Sequence, residues 1–134
     1  MKKDIDIPEV KEVSVGIVKE LNAEGESQWY VYLINQKNEP IESVLISSVG
    51  YGEKNGEKQK TTTLRHFFEV ISAKTFVKVE PIMPELFALT NEYWVSFYIG
   101  KTIFDKKFIF LPESILDTNV TNIPVLNKAG VLIG

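Results

Sequence analysis

Asn91-Glu92-Tyr93-Trp94-Val95-Ser96-Phe97-Tyr98-Ile99-Gly100-Lys101-Thr102-Ile103-Phe104-Asp105-Lys106-Lys107-Phe108-Ile109-Phe110-Leu111 is the stretch from which the fold is read. Two β-rich runs, Asn91 to Ile99 and Thr102 to Leu111, flank Gly100-Lys101, a Gly-X pair suited to a type II′ hairpin turn. A two-residue turn dictates the register. Phe97 then lies opposite Phe104, Tyr93 opposite Phe108 and Val95 opposite Lys106 on one face. Tyr98 with Ile103, Ser96 with Asp105, and Trp94 with Lys107 share the other. The first set is the core face, because aromatic cross-strand pairs add roughly 0.2–1 kcal/mol each. The second leaves Trp94 and Tyr98 pointing outward.

The same rhythm extends toward the N-terminus. Lys54-Asn55-Gly56-Glu57 carries Asn-Gly, the strongest short signal for a type I′ hairpin, between a run from Glu42 to Tyr51 and one from Gln59 to Ile71. Simple register sets Ser47 opposite Leu64, Ile46 opposite Arg65 and Leu45 opposite His66. A bulge at Gly50 or Gly52 would shift these pairs by one. Glu12 to Glu20 alternates, with Val13, Val15 and Ile17 on one face, whereas Gln28 to Asn35 is apolar on both faces. Lys74 to Glu80 is a fifth run, with Val77 and Val79 facing one way and Phe76, Lys78 and Glu80 the other. Pro81 to Leu89, with two prolines followed by apolar residues, reads as a helical turn bridging two sheets.

Seven such runs predict an all-β, immunoglobulin-like or fibronectin-type antiparallel sandwich with a short helical turn before the sixth strand. The chain of 134 residues is read as a single domain, with a core over about 10–112. Residues 113–134 form a C-terminal tail that packs across the sandwich or pairs at an edge, here or on a neighbouring copy.

Composition narrows the functional classes. Hydrophobic residues make up 44% and charged residues 25%, within the range of ordinary globular domains. With no Cys there are no disulfides, thiolate metal sites or cysteine nucleophiles, and with one His only carboxylate oxygens remain for a metal. Neither a metal nor another cofactor is expected. The formal charge of −3 offers no footprint for nucleic acid. Fourteen Lys against one Arg point to solubilising lysines rather than bidentate phosphate recognition. Met1 to Pro8 lacks the apolar stretch of a secretory signal, and no run approaches a membrane span, so a cytoplasmic location is expected.

Two constellations carry functional hypotheses. Trp94 and Tyr98 with Ile103 form an outer aromatic set, to which Trp29 or the pair Tyr30 and Tyr32 would add if their faces align. Contiguous exposed aromatics mark contact surfaces; the competing expectation is burial beneath the tail or the 81–91 crossover. Arg65-His66 unites the only Arg and the only His, as an anion site or proton-transfer pair. Strand neighbours point to opposite faces, however, which favours an ion-paired Arg65 and a half-buried His66 at a sheet edge. Ser96 and Asp105 would form a hydrolytic triad only if His66 lay nearby, and no catalytic residue is assigned.

Trp29-Tyr30-Val31-Tyr32-Leu33-Ile34-Asn35, Gly50-Tyr51-Gly52, Thr63-Leu64-Arg65-His66, Asp105-Lys106-Lys107-Phe108 and Gly130-Val131-Leu132 give the chain a resemblance. It resembles, over nearly its full length, a family of short uncharacterised bacterial proteins, some of which carry the label phenylalanyl-tRNA synthetase α subunit. The resemblance implies at most an accessory role in translation, because a class II synthetase core is much longer and uses an arginine pair on ATP. The residues themselves favour a non-catalytic module that binds a protein partner or itself, through the aromatic face or a sheet edge. A small enzyme or anion-binding protein centred on Arg65 and His66 is the alternative.

Overall fold

The computed structural model describes residues 8–134, and the N-terminal expectation drawn from residues 1–7 lies outside the described residues. Among the described residues, ten strands form two antiparallel sheets: β1 (Val13–Leu21), β2 (Ser27–Asn35), β3 (Ile41–Lys54), β4 (Glu57–Lys60), β5 (Leu64–Ile71), β6 (Thr75–Ile82), β7 (Thr90–Ile99), β8 (Thr102–Phe110), β9 (Thr121–Ile123) and β10 (Lys128–Ile133). One sheet runs β6-β2-β1-β10-β9. In the other, β3 pairs with β7, β7 with β8, and both β4 and β5 lie along the far edge of β3. Without β4, β9 and β10, the remaining seven strands place the first, second and fifth in one sheet and the fourth, third, sixth and seventh in the other. That is a Greek-key, immunoglobulin-like sandwich, with a 3-10 turn at Pro84–Ala88 before the sixth of these strands.

The core lies between the inner faces. Val13, Val15 and Ile17 of β1 and Trp29, Val31 and Leu33 of β2 meet Val44 and Ile46 of β3, Val95 and Phe97 of β7, and Phe108 and Phe110 of β8. The β7–β8 hairpin has the register its two-residue turn requires, from Ile99 opposite Thr102 to Asn91 opposite Phe110, and Gly100 adopts φ +61°. Phe97 stacks on Phe104 with ring centroids 5.1 Å apart, and Tyr93 meets Phe110 edge-on at 5.9 Å. Trp29 closes one end of the core against Phe87 of the 3-10 turn, centroids 5.3 Å apart.

Three local departures change which side chains face inward. The first follows the Asn55-Gly56 turn, whose residues take the positive φ angles of 54° and 79° that a type I′ turn needs. Tyr51 lies opposite Lys60 but Ser48 lies opposite Leu64, so Thr61, Thr62 and Thr63 stand against only Val49 and Gly50. The register does shift by one. The extra residue sits in the threonine run, dividing the run from Gln59 to Ile71 into two strands. A one-residue slip exchanges the faces of every following side chain. His66 therefore pairs with the buried Ile46 and turns inward, while Arg65 pairs with Ser47 and turns outward.

The second departure corrects the alternation expected for Lys74 to Glu80. Lys78 lies opposite Tyr32 but Glu80 lies opposite Val31, leaving Val79 as a bulged extra residue. Glu80 consequently points between the sheets instead of sharing the outer face with Phe76 and Lys78.

The third is the C-terminal segment, which is integral to a sheet. β10 pairs with β1 from Val15 opposite Ile133 to Val18 opposite Gly130, and β9 pairs with β10. The Ile123 side chain lies over two glycines: a Cβ at Gly16 or Gly130 would come within 2.7 Å or 2.6 Å of its Cδ1. Ile123 and Leu126 thereby bury Val18, Tyr32 and Ile34 on the outer face of that sheet. This explains why the second apolar run needs no solvent-facing side.

Candidate functional site

The outer face of the second sheet is built from rows set by the strand registers. Arg65, Ser47, Trp94 and Lys107 make one row; Phe67, Leu45, Ser96 and Asp105 make the next; Tyr98 and Ile103 lie beyond, with Glu69 on β5. Leu45, Phe67, Trp94, Tyr98 and Ile103 are all exposed. The small residues Ser47 and Ser96 lie between them, leaving a shallow depression of about 280 Å³ walled by Leu45, Trp94 and Ile103 and bordered by Asp105. Three of the candidate binding residues, Trp94, Tyr98 and Ile103, are thus brought together on an open surface. Neither the C-terminal strands nor the 81–91 crossover covers them.

Trp94 is held in place. Its indole Nε1 donates to Asp105 Oδ1, and the Lys107 ammonium lies 4.8 Å from its ring centroid. A charge on one side and a hydrogen bond at the rim restrict the rotamers of the largest exposed aromatic. Ordering before contact lowers the entropy cost of binding.

The other aromatic candidates do not extend this surface. Trp29 is in the core, and Tyr30 and Tyr32 lie on the opposite sheet beside the C-terminal strands. Their physical reason is a different one. Tyr32 donates to both carboxylate oxygens of Glu20, at 2.9 and 3.0 Å. Lys78 and Lys128 reach the same carboxylate at 2.6 and 2.7 Å, so one acid joins β10, β1, β2 and β6. Burial alone would raise the Glu20 carboxyl, but the Lys128 and Lys78 ammonium groups and the Tyr32 hydroxyl outweigh it and hold it at about 2. Lys78 also lies 4.0 Å from the Tyr30 ring centroid. This network is invisible in the local pattern, because it depends on which strand the chain terminus joins.

Arg65 and His66 do not converge. Arg65 is exposed on the outer face and makes no ion pair among the described residues. His66 points between the sheets, where Nε2 lies 2.6 Å from Glu80 Oε1. A pocket containing both side chains, which the Arg65/His66 alternative requires, is therefore absent among the described residues. The register shift that turned His66 inward also gave it a carboxylate partner that sequence reasoning missed.

Ser48 Oγ donates to the same carboxylate at 3.0 and 3.1 Å. Serine, carboxylate and imidazole are all present, but in an order unsuited to nucleophile activation. A triad needs the hydroxyl on the imidazole and the carboxylate behind it. Here Glu80 occupies the middle, and Ser48 and His66 each bind it separately. Among the described residues, no group of three or more His, Cys, Asp or Glu is placed to hold a metal, and no helix is long and apolar enough to cross a membrane.

No protein-family model, curated protein or solved structure matches the chain.

Proposed function

We propose that this protein is a cytoplasmic, non-catalytic interaction module that self-associates through the outer face of the β5-β3-β7-β8 sheet. The observation that carries this reading is the contiguous exposure of Leu45, Phe67, Trp94, Tyr98 and Ile103 on one flat sheet face. Solvated apolar clusters of this kind mark contact surfaces, and a preordered Trp at the centre is the residue type that most often dominates their energetics.

A second copy fits because the face is self-complementary. A two-fold axis along the row Phe67, Leu45, Ser96, Asp105 brings Arg65 of one copy to Glu69 of the other, twice, and Trp94 onto Tyr98. A closed two-fold contact needs this self-matching, with each residue meeting the partner of its own mate. Asp105 would meet its own copy at the β8 end and is the unfavourable part of the arrangement, moderated by its bond to Trp94.

Sedimentation velocity over a concentration series tests the reading. The native chain is expected to form a dimer. Arg65→Glu and Glu69→Arg should each dissociate it by setting like charges against each other, and the double exchange should restore it. A native chain that stays monomeric at all concentrations, or a double exchange as monomeric as the single ones, overturns the proposal.

A further inference from the structure

We infer that the cleft between β6 and the β3–β5 edge, floored by Glu80, is a binding site for a small alkylammonium cation. It is separate from the aromatic face and opens at the opposite side of the second sheet. The cleft holds about 320 Å³ and is lined by Gly50, Leu64, Glu80, Ile82, Asn91 and Tyr93, among others.

Glu80 reaches this cleft only because β6 bulges at Val79. Bulges re-aim side chains next to functional sites, and this one turns a carboxylate inward until its side chain is only 10% exposed. An ionised carboxylate resists burial unless something compensates it. His66 and Ser48 compensate from one side.

The rest of the lining supplies further oxygen acceptors and apolar walls. Asn91 commits its amide nitrogen to the carbonyls of Leu86 at 2.8 Å and Leu89 at 3.2 Å. Its Oδ1 is left beside Gly50, where a Cβ would lie 3.1 Å from it. Burial and the nearby Glu80 carboxylate both push the Tyr93 hydroxyl upward, so this ring stays neutral against the cleft. Leu64 and Ile82 are apolar.

Gly50 forms the β3 wall of the cleft. Its φ is not in the left-handed region, so the backbone does not call for glycine. A glycine inside a strand marks a bulge or the close approach of another group, and Gly50 stands opposite the extra residue of the threonine run. Here the close neighbours are Thr61 and Asn91: a Cβ would lie 3.2 Å from Thr61 Cγ2 and 3.1 Å from Asn91 Oδ1, so a side chain at this position crowds the wall of the cleft.

A clasp between the sheets would account for Glu80 with His66, but it would not require the cleft of about 320 Å³ beside the carboxylate. Acceptor oxygens at the floor exclude an anion. A single carboxylate among apolar walls falls well short of the six to eight oxygens a calcium ion takes. An ammonium group on a short hydrocarbon satisfies both parts of the lining: the N–H donors meet Glu80 and Asn91, and the chain lies along Leu64, Ile82 and Tyr93.

The test is an amide ¹H–¹⁵N titration with n-butylammonium chloride, with n-butanol and sodium chloride as controls. Saturable shifts at Gly50, Thr61 and Asn91 are expected from the ammonium alone. Glu80→Gln should weaken binding by about tenfold or more, the loss of one charge-assisted hydrogen bond. Gly50→Val, which keeps Glu80 but crowds the cleft wall at Asn91 and Thr61, should abolish it, and a dispersed spectrum verifies that each variant is folded. If Glu80→Gln fails to fold, Gly50→Val decides the question alone. Absence of saturable shifts, equal shifts from n-butanol, or undiminished binding by folded Gly50→Val overturns the inference.

Discussion

On the outer face of the β6-β2-β1-β10-β9 sheet, Val18, Tyr32 and Ile34 are buried beneath Ile123 and Leu126. On the outer face of the opposite sheet, Leu45, Phe67, Trp94, Tyr98 and Ile103 are between 41% and 62% exposed. Both faces carry large apolar side chains, so composition does not distinguish them. What differs is the cover. The chain commits its last strands to one face and surrounds that face with an ion network on Glu20. On the other it arranges Asp105 and Lys107 around a bare indole. An apolar face that the chain covers contributes to folding; one it leaves open retains its apolar area for contact with another molecule.

The largest effect on stability is therefore expected where the cover is tightest. Ile123→Ala removes the side chain that lies over Gly16 and Gly130, two positions with no Cβ to fill the gap. A buried Ile→Ala change with limited room to collapse costs roughly 2–5 kcal/mol. Urea unfolding followed by far-UV circular dichroism should show the unfolding free energy falling by that amount, read as a lower midpoint at unchanged slope. A loss below about 1 kcal/mol, the scale of an ordinary surface change, would mean that the C-terminal strands do not cover this face in solution.

The ion network should register next, and with a pH signature. The Glu20 carboxyl, lowered from 4.5 to about 2, contributes stability that is fully present above pH 4.5. That contribution is lost as the pH falls through this window toward 2, because the unfolded chain takes up the proton first. Glu20→Gln keeps the shape, removes the charge and is expected to cost about 1.5–3 kcal/mol at pH 7, the range for hydrogen bonds to charged groups. The difference between native and variant chains in urea midpoint should shrink steadily between pH 5 and pH 2. A difference that is constant over that range would show that the Glu20 charge is not what joins the four strands.

The contrast between the faces also explains which parts of the molecule were legible beforehand. The β7–β8 pairing was readable to the residue because Gly100-Lys101 permits one register and both strands alternate without interruption. Trp94, Tyr98 and Ile103 could accordingly be assigned to one face. Exposure could not be read, since it depends on where residues 113–134 go, and their apolar run is compatible with either sheet. Arg65 and His66 hinged on a single extra residue among three threonines, which breaks no hydrophobic period. Glu80 was missed for a similar reason. Val79 is a normal strand residue, so its bulge leaves no compositional mark, yet it moves a carboxylate from one face to the other.

The smallest effect on folding, and the sharpest on association, is expected at Trp94. Its ring is 45% exposed and its fixed contacts are Asp105 and Lys107, both at the surface. Trp94→Ala thus removes one cross-strand pair and little buried area, a folding cost of about 1 kcal/mol or less. As the anchor of the proposed contact it should be worth about 2 kcal/mol or more of association, some 30-fold in the dimer constant. The two quantities come from separate measurements on the same variant: urea midpoint at low concentration and sedimentation velocity at high concentration. If the indole were instead a structural element, the order would invert, with a folding loss of several kcal/mol and an unchanged association constant. That outcome would place Trp94 with Ile123 among residues that stabilise the fold, and would remove the difference between the two faces from which the proposed self-association was argued.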